Sequence, residues 1–185
     1  MRRLLSLAAA LTVTFAPLTA GADPSSDLQK TAEAFAALHS WHATMVSQGR
    51  TTECDFVAPD RFKLTTPMGP AYVIGSDIYL SMGGKYMKMP VPMMTSMVSE
   101  LRSPSHIATF AKSHKVQDLG DTSVGGVATH AYAFDDNTNG IATHVVIDVA
   151  KSDSLPRRQV VTYAKGSTTI TYRNFNAPLT INAPT

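Results

Sequence analysis

The segment AYVIGSDIYLSMGGKYMKMPV, Ala71 to Val91, decides the class of fold. Tyr72, Ile74, Ile78, Leu80 and Met82 fall on one parity, and Met87, Met89 and Val91 fall on one parity beyond Gly83-Gly84. A period of two marks half-buried strands, and a Gly-Gly pair between two such runs marks a hairpin. The same period holds upstream. Trp41 to Gln48 reads as a strand, and TTECDFVAPDRFKLTT (Thr51–Thr66) carries Cys54, Phe56, Phe62 and Leu64 on one parity.

Beyond Pro92 the period changes. Met94, Met97, Val98 and Leu101 recur at three and four, Pro104 breaks the run, and Ser105 to Lys112 brings Ile107, Phe110 and Ala111 together, so a helical insertion is expected over 92–112. Strands resume near Val116. VATHAYAF and IATHVVIDVA flank a polar turn, and RRQVVTYA and TTITYRNF flank Lys165-Gly166-Ser167. Near the start, Leu28, Thr31, Ala32, Phe35 and Leu38 describe one amphipathic helix with Asp27 as N-cap. The order is helix, about four strands, helical insertion, about five more strands. A mainly β (α+β) fold follows: one curved antiparallel sheet with helices on one face and an apolar space between them.

The first 22 residues are expected to be a cleaved signal peptide. Arg2 and Arg3 precede an apolar run from Leu4 to Phe15, and Ala20-Gly21-Ala22 supplies the small residues for cleavage before Asp23. No Cys follows the run, so an exported protein without a lipid anchor is expected, located in the periplasm, with residues 23–185 as a single domain. Loss of the leader takes Lys+Arg from 16 to 14, equal to the 14 Asp+Glu, so charge favours neither nucleic acid nor an anionic surface at large. Cys54 is the single cysteine and has no disulfide partner within the chain; on the parity of Phe56 it reads as a small buried apolar residue.

The stretch from Lys85 to Met97 holds five of the nine methionines. Thioethers line adaptable greasy pockets, and they also ligate Cu(I). Met87, Met89, Met94, Met97 and Leu101 would converge on one cavity from strand and insertion, which favours the greasy lining. A periplasmic Cu(I)-binding protein using Met87 to Met97 is the rival, though no His lies inside the stretch. A protein-interaction or sensory domain on the same fold is a third reading. His39, His42, His106, His114, His130 and His144 make no motif for zinc, and no HExxH, CxxC, GxSxG or phosphate-binding glycine motif occurs, so neither cofactor nor catalysis is expected. Arg157 and Arg158 read as a solvated hairpin edge or, less often, as a guide for an anionic headgroup or membrane partner, and Lys85 and Lys88, flanking the cavity mouth, carry the same two readings.

Order and spacing of several motifs carry a resemblance. A Trp-led strand is followed by VAPDRFKLTT (Val57–Thr66), by YVIGSDIYLSMGGKYMKMP (Tyr72–Pro90), by VGGVATHAYAF (Val124–Phe134) and by SLPRRQVVTYAKGSTTITYRNFNAPLTINAP (Ser154–Pro184). The chain resembles the LolA/LolB-like lipoprotein carrier superfamily, including its mycobacterial lipid-binding relatives. In that family a Pro-led element (here Pro59 to Phe62) heads the second strand pair and a Leu-Pro-Arg element (Leu155 to Arg157) opens a late hairpin. The resemblance implies an unclosed half-barrel of about eleven antiparallel strands, with helices plugging its concave face, that binds lipid, an acyl chain or a lipidated protein without covalent chemistry. Ala58 stands where the dedicated chaperone has an Arg, and the acceptor's lipidated N-terminal Cys is missing, so a general carrier of lipophiles is implied. A membrane-protein donor or acceptor would be its partner, and a monomer is expected. The residues expected to face the cavity are Trp41, Met45, Phe56, Phe62, Leu64, Ile74, Leu80, Met87, Met89, Met94, Met97 and Leu101.

Overall fold

One helix and eleven strands form along residues 23–91, 109, 113–138 and 140–184, which the computed structural model describes. The expected helical insertion over 92–112, with Met94, Met97 and Leu101, lies almost wholly outside the described residues. Helix α1 runs Pro24–Ala36, one turn earlier than its apolar spacing suggested. Asp23, not Asp27, is the N-cap: its side chain accepts from the Ser25 N–H, and Pro24 opens the first turn. Asp27 sits inside that turn, where a carboxylate complements the helix dipole.

The strands are β1 (Ser40–Ser47), β2 (Arg50–Val57), β3 (Arg61–Thr66), β4 (Gly69–Ile74), β5 (Asp77–Met82), β6 (Lys85–Pro90), β7 (Gln117–Val124), β8 (Val127–Thr138), β9 (Ile141–Ala150), β10 (Pro156–Tyr163) and β11 (Gly166–Arg173). Two sequence segments each fold into a hairpin, turning at Ala58 to Asp60 and at Gly75-Ser76, which brings six strands before the insertion rather than about four. The Gly83-Gly84 turn forms as expected, both residues at positive φ of 59° and 81°, where only glycine is unstrained.

All eleven strands make one antiparallel sheet in the order β6-β5-β4-β3-β2-β1-β11-β10-β9-β8-β7. Two meanders, β1–β6 and β7–β11, are joined at the centre by β1 against β11, with His42 opposite Arg173 and Ser47 opposite Thr168. Strands β6 and β7 are the two edges and do not pair with each other, so the sheet is an unclosed half-barrel. The chain between β6 and β7 therefore links one edge to the other. No described helix is long and apolar enough to cross a membrane.

Helix α1 marks one face of the sheet. Leu28 is buried against Tyr132, Phe134, Val145 and Val149, with Val116, Ile147 and Val161 around them. Burying that leucine contributes about 2 kcal/mol. Thr31 is also buried, and its hydroxyl is satisfied by donating to the Asp27 carbonyl at 3.0 Å.

The opposite face is polar and tightly paired. Asp148 is 0% exposed; it accepts from Arg158 Nε at 2.8 Å and from Thr122 Oγ1 at 2.8 Å, beside the fully buried Thr129. Arg158, its side chain 42% exposed at the hairpin edge, is thus also the ion-pair partner of a buried carboxylate. Arg157 lies over the Phe175 ring at 4.9 Å and pairs with Asp153 at 2.6 Å.

Candidate functional site

Strand register lines up apolar side chains on the α1 face. One row runs Trp41, Phe56, Phe62, Val73, Ile78, Met89, each opposite the next on β1 to β6. A second row runs Tyr172, Ala43, Cys54, Leu64, Ala71, Leu80, Met87 from β11 to β6. Side chains directly opposite across antiparallel strands touch, so both rows are continuous apolar bands. Met45 belongs to the same face and pairs with Ile170.

Of the twelve residues expected to face a cavity, Trp41, Met45, Phe56, Phe62, Leu64, Leu80, Met87 and Met89 share this face. Met94, Met97 and Leu101 lie outside the described residues. Ile74 is on the other face. It pairs with Arg61 and Asp77, because the two-residue Gly75-Ser76 turn sets residue 74 opposite residue 77 and exchanges parity between β4 and β5. Ile78, Leu80 and Met82 consequently align with Val73 and Ala71, not with Ile74 and Tyr72. Val73 and Ala71 are on this face and were missed by counting through the turn; Ile78 and Tyr172 share it and were not among the twelve.

The bands are filled differently from centre to edge. Phe35 reaches from the last turn of α1 to stack on Trp41 at 5.5 Å and to meet Tyr172 edge-on at 5.2 Å. Trp41 in turn stacks on Phe56 at 5.2 Å, and Phe56 meets Phe62 at 4.8 Å. Phe56, Cys54 and Val73 are buried in this aromatic floor. Burial pushes the Cys54 thiol up to about 12 and the Tyr172 hydroxyl up to about 12, so both stay protonated and neutral. Towards β6, Leu64, Ala71, Ile78, Leu80 and Met89 are half-buried and Met87 is exposed. Met87 and Met89 alternate with Lys88, whose ammonium pairs with Asp77 at 2.8 Å.

A polar cleft of about 320 Å³ opens beside α1, lined by residues that include Asp27, Lys30, Asp118, His130, Tyr132 and Lys151. His130 is held on both ring nitrogens, Nδ1 to Asp121 at 2.8 Å and Nε2 to Asp118 at 2.6 Å. Burial opposes charging of His130, but the two aspartates outweigh it and raise its pKa. Asp118 is lowered first by the Gly120 N–H and then by His130; Asp121 is lowered by Lys151 and His130. Tyr132 donates to Asp27 at 3.1 Å, tying α1 to β8. Sequence analysis singled out neither Asp118 nor Asp121. The available signal was the Asp118-x-x-Asp121 spacing opposite His130 across the Gly125-Gly126 turn. Among the described residues no group of three or more His, Cys, Asp or Glu is placed to hold a metal ion.

No family model matches the chain, and no curated protein sequence matches it. Solved structures do. The structure of LprF from Mycobacterium bovis matches with a TM-score of 0.66 at 16% identity, over 87% of this chain and 96% of that one. The Mycobacterium tuberculosis lipoprotein LppX matches with a TM-score of 0.66 at 15% identity, over 85% of this chain and 97% of that one. The MucA/MucB complex of Pseudomonas aeruginosa matches with a TM-score of 0.50 at 16% identity, over 84% of this chain and 56% of that one. At these identities the likeness is one of fold: the chain is built as LprF and the lipoprotein LppX are built.

Proposed function

We propose that this chain is a periplasmic, non-catalytic carrier that binds a lipid, an acyl chain or the lipid moiety of a lipoprotein against the α1 face of its half-barrel. The observation that carries the reading is the pair of unbroken apolar bands from β1 to β6, buried at the aromatic floor and half-buried towards the β6 edge. An apolar strip of this kind gains about 25 cal/mol for each Å² that an acyl chain covers. Methionine at its outer end suits chains of varied shape, because three rotatable bonds let it repack. The signal-like leader and the fold shared with LprF and the lipoprotein LppX support the reading.

Native mass spectrometry of the secreted protein, purified from a bacterial periplasm without detergent, tests it. Adducts at phospholipid or fatty-acid masses, lost on denaturation, are expected. A bare mass that takes up copper stoichiometrically under reducing conditions would move the assignment to a Cu(I) protein. A bare mass with neither favours a protein partner, a reading that the likeness to MucB in its complex with MucA supports.

A further inference from the structure

Hairpin turns fall alternately at the two ends of an antiparallel sheet, and this strand order gathers five of them into one row. Across the sheet the row runs through the β5–β6, β3–β4, β1–β2, β10–β11 and β8–β9 turns. Successive tips are two strands apart, or about 10 Å. Exposed large apolar side chains concentrate there: Met68 is 91% exposed, Ile141 60% and Met82 59%. A single exposed methionine needs no explanation, but apolar residues on three tips of one row do.

Charge is equally uneven. Arg50, Lys85 and Lys165 are exposed at or beside the tips, and no acidic residue lies within two positions of any of the five turns. None of the three cations has an ion-pair partner among the described residues. Tyr86 and Tyr163 sit within two positions of the same turns. The opposite end of the sheet differs on each count. There Asp60, Asp77 and Asp153 accompany Arg61, Lys151 and Arg157. Those cations are occupied: Arg61 donates to the Ile181 carbonyl at 2.7 Å, Arg157 pairs with Asp153, and Lys151 pairs with Asp121.

We propose that the row of five hairpin tips is a docking surface for an anionic phospholipid bilayer. Met68, Met82 and Ile141 enter the boundary between headgroups and acyl chains, while Arg50, Lys85 and Lys165 meet the phosphates. Exposed apolar tips flanked by basic and tyrosyl side chains match the chemistry of that interface, where aromatics and cations anchor and apolar groups insert. An acidic protein partner would satisfy the three cations but would leave three separated apolar tips without a shared pocket. The inference is independent of whether the apolar bands hold a lipid.

Co-sedimentation of the purified protein with vesicles tests it, comparing phosphatidylcholine alone with an equal mixture of phosphatidylcholine and phosphatidylglycerol. Each basic side chain near an anionic surface is worth about fivefold in partition, so roughly a hundredfold preference for the anionic vesicles is expected, falling as salt is added. Lys85→Glu with Lys165→Glu should lower partition by at least roughly twentyfold. Met68→Ser, Met82→Ser and Ile141→Ser together should lower it by about tenfold or more. Leu119→Ser, half-exposed on the β7 edge away from the tips, should leave it unchanged. Thermal melts that coincide with the parent's separate lost docking from lost fold, and the salt titration reads the unmodified protein in any case. Absent partition, equal binding to both vesicles, salt-insensitive binding, or binding that survives the tip variants overturns the proposal. Vesicle binding without lipid adducts in native mass spectra would sink the carrier reading alone, and lipid adducts without tip-dependent binding would sink the docking surface alone.

Discussion

Trp41 of β1 stacks on Phe56 of β2 with ring centroids 5.2 Å apart and planes 25° apart. Trp41 is also the chain's single tryptophan, so its emission reports on the floor of the proposed site without any label. Addition of a long-chain fatty acid should shift and quench that emission saturably, as measured by fluorescence titration. Unchanged emission at ligand concentrations where native mass spectra show adducts would place the bound chain elsewhere.

Phe56 is 1% exposed and touches both Trp41 and Phe62. Phe56→Ala removes the centre of the floor and should cost about 3–5 kcal/mol of stability in urea unfolding followed at Trp41. A cost below about 1 kcal/mol would mean that the aromatic cluster is not the packed core of the β1–β3 region.

Leu80 and Ile74 belong to opposite faces of adjacent strands. Leu80→Asp places a charge in the middle of an apolar band and should reduce acyl-chain binding by at least about tenfold, since an unpaired charge strongly opposes burial. Ile74→Asp adds the same charge to the polar face and should leave binding within about twofold, the usual scale of a remote surface change. Binding by calorimetry decides between them. Equal losses in the two variants would show that the ligand does not lie on the α1 face.

His130 and its two aspartates predict a pH profile. The raised His130 pKa means that its contribution to stability is complete below the ordinary histidine value of 6.5 and is lost as pH rises through the folded-state value. Asp118 and Asp121, lowered from 3.8, contribute in the opposite sense: their part is present above that value and is lost as acid protonates them. His130→Ala should therefore lower Tm by a few degrees at mildly acidic pH and by less in alkaline buffer. A melting difference that does not depend on pH would leave the cluster without an electrostatic role.

Arg158 partners a fully buried carboxylate. Arg158→Met leaves Asp148 without its counter-charge and should destabilise the protein by about 3–5 kcal/mol in chemical denaturation. Combining Arg158→Met with Asp148→Asn should restore much of that loss, because the uncompensated charge is removed with its partner. Additive losses in the double variant would mean that the two residues stabilise the sheet separately.

Local chemistry determined much of this protein directly in the sequence. Alternating apolar residues from Trp41 to Val91 could only be strands, Gly83-Gly84 could only be a tight turn, and Leu28, Thr31 and Phe35 could share a face only on a helix. These signals act within a few residues, and each one formed. Eight of the expected lining residues lie together because parity carries reliably along a strand and across the turn from Phe56 to Phe62. Tertiary structure decided the remainder. Ile74 moved to the polar face because a two-residue turn exchanges parity, which counting along the sequence does not register. The pairing of β1 with β11 joins residues more than a hundred positions apart, and the gathering of five hairpin tips at one end follows from that pairing. Asp118 and Asp121 both become partners of His130, and Asp121 of Lys151, only when β7, β8 and the turn after β9 are brought side by side. Periodicity tells each residue which way to face; the order of strands, set by the hairpins and by the pairing of β1 with β11, tells it what it meets.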